Sequence, residues 1–192
     1  MKKIITKLYS TSKFSVFAVV FIYGLITAEY YNNISSKILT IQNYELTTNS
    51  IYSYFITFNF TLTVVIAFVI WLLSSFLFHL FAILLGGDAL FKNFKNYTGL
   101  LYAIPALGFL ISHILFERIE IPKEDITNFL NSNKLITIIS WVTNVTSFLY
   151  YILLVPIISN LYQINYIKAV SSIIIPFGSI YLLSQFFAEF VL

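Results

Sequence analysis

The sequence predicts an all-α, polytopic integral membrane protein of five transmembrane helices, with its N-terminus cytoplasmic and its C-terminus outside. Composition, the lengths of the apolar runs and the placement of Lys and Arg predict it. Of 192 residues, 59% are hydrophobic and only 10% charged. The mean hydropathy of +0.87 lies well above that of soluble domains. Crossing a hydrocarbon core about 30 Å thick takes about 20 residues, so the apolar runs and their connections leave no room for a separate soluble domain, and the chain reads as one membrane domain, residues 1–192. The net charge is +3, but the lysines flank apolar runs instead of forming one basic face. That pattern makes the lipid bilayer a partner and argues against nucleic acid. With no cysteine, the chain has no disulfide, thiolate metal site, S-acylation site or cysteine nucleophile.

The first span, about residues 14–30, follows "MKKIITKLYSTSK", in which Lys2, Lys3, Lys7 and Lys13 stand without an acid. A cleaved signal peptide wants small residues at the cut and two before it. "ITA" offers Ala28 but places Ile26 at the other position, so the span reads as an uncleaved helix. The polar stretch from Glu29 to Tyr54 reads as a loop on the far side. Residues 55–85 carry no formal charge and would measure about 46 Å as one helix, so the second span overshoots the core. The third span, about 99–116, contains Pro105. The charged segment "ERIEIPKEDITNFLNSNK" then leads to the fourth span, about 135–159, and a short connection with Lys168 leads to the fifth, about 170–190.

Charge placement tests that count. With the N-terminus inside, the inner segments hold Lys2, Lys3, Lys7, Lys13, Lys92, Lys95 and Lys168 against one acid, Asp88. The outer segments hold the other four bases and seven acids. Seven bases against four fits the positive-inside rule.

His79-Leu80, Gly86-Gly87, Phe91 and then an apolar helix with Ala103 and Pro105 together resemble the Yip (Ypt-interacting protein) domain family. The likeness extends loosely to Trp141 and to "IKAVSS" at the start of span five, over about residues 54–192. The resemblance implies a five-helix membrane protein with a cytoplasmic N-terminus. Eukaryotic members look like vesicle-traffic adapters that contact small GTPases through a longer N-terminal region with an Asp-Leu-Tyr-Gly-Pro motif. That motif is absent, which argues against GTPase binding. The chain is more similar to short prokaryotic members. It is therefore expected in a prokaryotic plasma membrane as an accessory or assembly factor, with transport systems among its partners.

Gly86 and Gly87 could cradle phosphate only after a strand and before a Lys-Ser/Thr pair, and neither is present. A helix exit with glycine at positive φ is the simpler reading, with Asp88 as a cap or a solvated charge. His79 lies about two turns before that exit. With Gly86, Gly87 and Asp88 it makes a candidate docking turn, since ionisable groups inside a membrane are functional candidates. His113 stands four residues before Glu117 and shares a helical face with it. Ser140, Thr143, Asn144 and Ser147 form one polar stripe at i, i+3, i+4 and i+7, read as a helix-packing face. Gly99, Ala103 and Ala106 give span three a small-residue face, and Ser171, Gly178 and Gln185 recur every seven residues in span five. Pro105, Pro156 and Pro176 are expected to kink their spans. Tyr30, Tyr31, Tyr52, Tyr54, Tyr97, Tyr162 and Tyr166 read as interfacial anchors.

An intramembrane enzyme would need a nucleophile and a base at one site; His79 and Asp88 are the only close acid-base candidates and no serine or carboxylate pair completes a known constellation, so no catalytic residue, cofactor or metal site is expected. The first functional expectation is a non-enzymatic adapter, assembly or scaffolding factor for other membrane proteins, with homo-oligomerisation compatible with its polar faces. The alternative is a small-solute transporter or channel subunit, suggested by the prolines and polar stripes.

Overall fold

The computed structural model describes residues 13–41, 50–122, 129–130 and 132–191, and the regular structure among them is entirely α-helical. The helices are α1 (Lys13–Ile41), α2 (Ser50–Leu84), α3 (Phe91–Leu101), α4 (Ala103–Glu117), α5 (Lys134–Tyr162) and α6 (Tyr166–Val191). Lys2, Lys3, Lys7, Glu45, Lys123, Glu124 and Asp125 lie outside the described residues, as do the side chains of Tyr52 and Gln185.

Four stretches are long and apolar enough to cross a bilayer: Ser15–Leu39, Ser53–Leu84, Phe91–Glu117 and Lys134–Tyr162. Tyr166–Ser179 adds a shorter apolar helix. The helices alternate in direction. Phe17 meets Trp71 while Gly24 faces Val64, so α1 and α2 are antiparallel. Tyr23 meets Tyr102 and Tyr30 meets Phe116, so α3 and α4 run parallel to α1. α5 packs on α4, and α6 closes the bundle between α2 and α5, leaving α3 inside against α1, α2 and α5.

The polar stretch expected as a loop is helical up to Ile41 and again from Ser50. Residues 25–41 and 50–85 contain neither Gly nor Pro, so nothing local breaks either helix there. Tertiary contacts hold its polar end, because Tyr30 and Ile34 pack with Phe116, Ile119 and Ile139. The Lys37 ammonium also donates to the carbonyls of Phe116, Glu117 and Ile119 at 3.0, 2.9 and 3.0 Å. These are carbonyls at the C-terminal end of α4, where a cation is favoured.

The third span begins at Phe91, eight residues before the expected start at 99. Phe94, Tyr97, Thr98 and Tyr102 bury one face of this amphipathic segment, while exposed Lys92 marks the other. Pro105 lies in the first turn of α4 and has no N–H to offer the Leu101 carbonyl. The helix accordingly breaks at Tyr102 into α3 and α4. Pro156 and Pro176 lie inside unbroken α5 and α6.

The core joins Val16, Val20, Trp71, Phe78, Phe94 and Leu154 across four spans. Within it Thr98 donates to the Lys95 carbonyl (2.9 Å) and accepts from the Trp71 indole (3.1 Å). Its remaining contact, 2.6 Å to Ser75, therefore takes the Ser75 proton. This closed set satisfies three buried polar side chains without water.

Candidate docking turn and mid-bundle niche

α2 ends in a Schellman motif. Gly86 N–H donates to the Ile83 carbonyl (2.9 Å) and Gly87 N–H to the Ala82 carbonyl (3.0 Å), with Gly86 at φ +93°. Gly87 is needed for a different reason: a Cβ there would lie 2.8 Å from the Tyr162 Cβ. Asp88 does not cap α3, whose N-cap is Leu90 without a side-chain bond. Instead its backbone N–H donates to the Tyr162 carbonyl at 3.3 Å, and its side chain is exposed.

That bond fuses two turns. α5 stops at Gln163, which takes a left-handed φ of 56°, and Asn165 starts α6 by accepting the Lys168 N–H at 2.8 Å. Beneath the fused turns the His79 Nδ1 and the Tyr162 hydroxyl share a hydrogen bond. Phe91 and Phe94 flank the imidazole at ring centroid separations of 5.1 and 6.5 Å. The four residues of the candidate docking turn thus belong to one structure, with His79 supporting the turn from below. Among the described residues no group of three or more His, Cys, Asp or Glu could hold a metal ion.

The surface of this end is apolar at its tips and basic at its sides. Leu84, Leu90 and Ile167 are 69%, 71% and 77% exposed, beside exposed Asp88, Lys92 and Lys168. Lys95, further in, holds its ammonium 5.9 Å from the Phe17 ring and 5.8 Å from the Trp71 ring.

A second feature occupies the middle of the bundle. Tyr23, Ile70, Tyr102, Pro105, Ser147, Tyr150 and Tyr151 line an open niche of about 120 Å³. Tyr23, Tyr102, Tyr150 and Tyr151 form an edge-to-face chain with ring centroids 4.9, 5.2 and 5.0 Å apart. The buried Tyr150 hydroxyl has no hydrogen-bond partner among the described residues. The wall is mostly apolar, carries tyrosine and serine hydroxyls and has no charge, so it suits a neutral occupant with an apolar body and a hydrogen-bonding group.

The polar stripe divides. Ser147 lines the niche, whereas Ser140 and Asn144 are exposed and Thr143 bonds to carbonyls of its own helix. The close α4–α5 approach lies elsewhere, at Gly108, where a Cβ would come within 2.8 Å of the Thr146 Cβ. In the small-residue face Gly99 touches Val16 and Trp71 and Ala106 is buried, but Ala103 is exposed. Gly178 has open space beside it. His113 and Glu117 meet at 3.4 Å.

The anchor reading of the tyrosines needs correction. Tyr54 and Tyr166 are exposed at span ends and Tyr31 is exposed inside the first span, while Tyr30, Tyr97 and Tyr162 are buried. Tyrosine at a span end serves either role, and only the packed neighbours decide. Sequence reasoning also missed the Lys37 clamp and the tyrosine niche, whose members come from four separate helices. Compared with known protein families, curated proteins and solved structures, the chain matches none.

Proposed function

We propose that the chain is a Yip-like integral membrane adapter, a non-enzymatic assembly or scaffolding factor for other membrane proteins in a prokaryotic plasma membrane. In this reading α6 is the fifth crossing, the N-terminus is cytoplasmic and the C-terminus outside. The observation that carries the adapter role is the exposed apolar surface on the fused turns, Leu84, Leu90 and Ile167, beside Lys92 and Lys168. A surface already fixed by the Asp88–Tyr162 backbone bond loses little conformational entropy on docking. Of the pattern that resembles the Yip domain, His79, Gly86, Gly87 and Phe91 fall on the same end and support the same reading, while Pro105 lies in the middle of the bundle. The partner is a membrane protein presenting an apolar, net acidic cytoplasmic surface.

Co-purification from native membrane at low expression tests this. The intact protein is expected to bring down a defined membrane protein, and a Leu90→Lys, Ile167→Lys variant that folds normally is expected to lose it. Equal recovery with both would refute docking at the turns.

A second reading, a small-solute transporter or channel subunit, is favoured by the uncharged niche at the centre of the bundle. It requires flux of a neutral solute across vesicles containing the purified protein alone, reduced by filling the niche with Ser147→Phe.

A further inference from the structure

α5 turns a mixed polar and aromatic face outward. Ser140, Trp141, Asn144, Val145 and Phe148 line an open groove of about 280 Å³, with Trp141 and Phe148 67% and 65% exposed. At 100° per residue these five positions fall within an arc of about 140°. Asn144 stands four residues from the midpoint of α5, about 6 Å along the axis. In a bilayer this exposed face meets lipid tails, where an amide with unused hydrogen-bonding groups is costly.

Among the described residues Asn144 has one bond, a long 3.4 Å donation from Nδ2 to the Ser140 Oγ within its own helix, and its carbonyl oxygen and second amide N–H have no partner among them. The group that complements one acceptor and one donor in this geometry is another carboxamide. We propose that the α5 groove is a homodimer interface, in which a second copy of this chain packs against it and the two Asn144 amides bond to each other across a two-fold axis. Such an interface is isologous, so a self-complementary group at its centre fits it. Ser140, one turn away, is small enough for close helix approach, and Trp141 and Phe148 flank the amide pair as packing knobs. The proposal does not rest on the adapter reading, since the groove lies on the lipid-facing side of α5 and not on the fused turns.

The chain has no cysteine, so a single introduced thiol has no partner within its own chain, and a disulfide-linked species of twice the mass reports a second copy. The experiment is oxidative crosslinking of Ser140→Cys in native membrane at low expression, with exposed Leu73→Cys on α2 as the collision control. Ser140→Cys is expected to give a discrete dimer and Leu73→Cys none. Adding Asn144→Leu should lower the crosslinked fraction about five- to tenfold, a range set by two interhelical polar contacts. Asn144→Gln, which keeps the carboxamide, should restore most of it. Equal crosslinking at both positions, no dimer at Ser140→Cys, adducts only to other proteins, or insensitivity to Asn144→Leu would each overturn the proposal. Asn144 is exposed and makes only a local bond, so these variants leave the fold intact.

Discussion

Replacing Lys37 by Met probes the least anticipated contact in the fold. The side chain keeps its length and apolar stem but loses three donations, to the carbonyls of Phe116, Glu117 and Ile119 at 2.9 to 3.0 Å. It also loses a cation 5.2 Å from the Phe116 ring. Hydrogen bonds to a charged group contribute about 1.5–3 kcal/mol, and one ammonium shared by three carbonyls counts once on that scale. The ring contact adds about 0.5–1 kcal/mol. Lys37→Met should therefore destabilise the protein by about 2–4 kcal/mol. Reversible unfolding in bicelles measures the total, and hydrogen exchange locates it. Protection should fall at the C-terminal end of α4, at residues 114–121, and stay unchanged in α5 and α6. Lys37→Arg, which keeps the charge and several donors, should recover at least half. A loss under about 0.5 kcal/mol, the level of a surface contact, would refute the clamp, as would loss of protection spread over the bundle.

Other contacts predict further outcomes. Tyr162→Phe should cost about 1–3 kcal/mol by leaving the His79 Nδ1 without its partner. A double-mutant cycle with His79→Leu should return a coupling near 1 kcal/mol, and zero coupling would deny the bond. Gly86→Ala should destabilise by about 1–2 kcal/mol because φ is positive there. Gln163→Gly, at the other left-handed position, should instead stabilise by about 0.5–1 kcal/mol, so the same melting assay reads opposite signs on the two fused turns. Gly108→Ala should cost about 1–3 kcal/mol by overpacking against Thr146, and Thr146→Ala should relieve part of it.

The helical, membrane-compatible character was legible in the sequence because bilayer thickness and hydropathy are local constraints. The exit at Gly86 was legible too, since only a glycine takes that φ without strain. What escaped depends on partners distant along the chain. The helical state of residues 30–41 rests on Lys37 reaching carbonyls about 80 positions away, and no local signal announces that. Tyr162 reads as an anchor until His79 and Phe94 are seen around it. The stripe at Ser140, Thr143, Asn144 and Ser147 has helical spacing, but spacing alone does not say which side of α5 turns toward α4. Thr146 holds that place, opposite Gly108, and Asn144 turns outward.

Docking of another membrane protein on the fused turns, as proposed above, is tested most directly by site-specific photocrosslinking in native membrane. A photoreactive residue is placed at position 90 and, separately, at position 167. A third probe replaces exposed Glu120 at the opposite end of the bundle. The same discrete protein adduct is expected from positions 90 and 167 and none from position 120. Lipid adducts alone from positions 90 and 167, or the same protein captured equally from position 120, would contradict it.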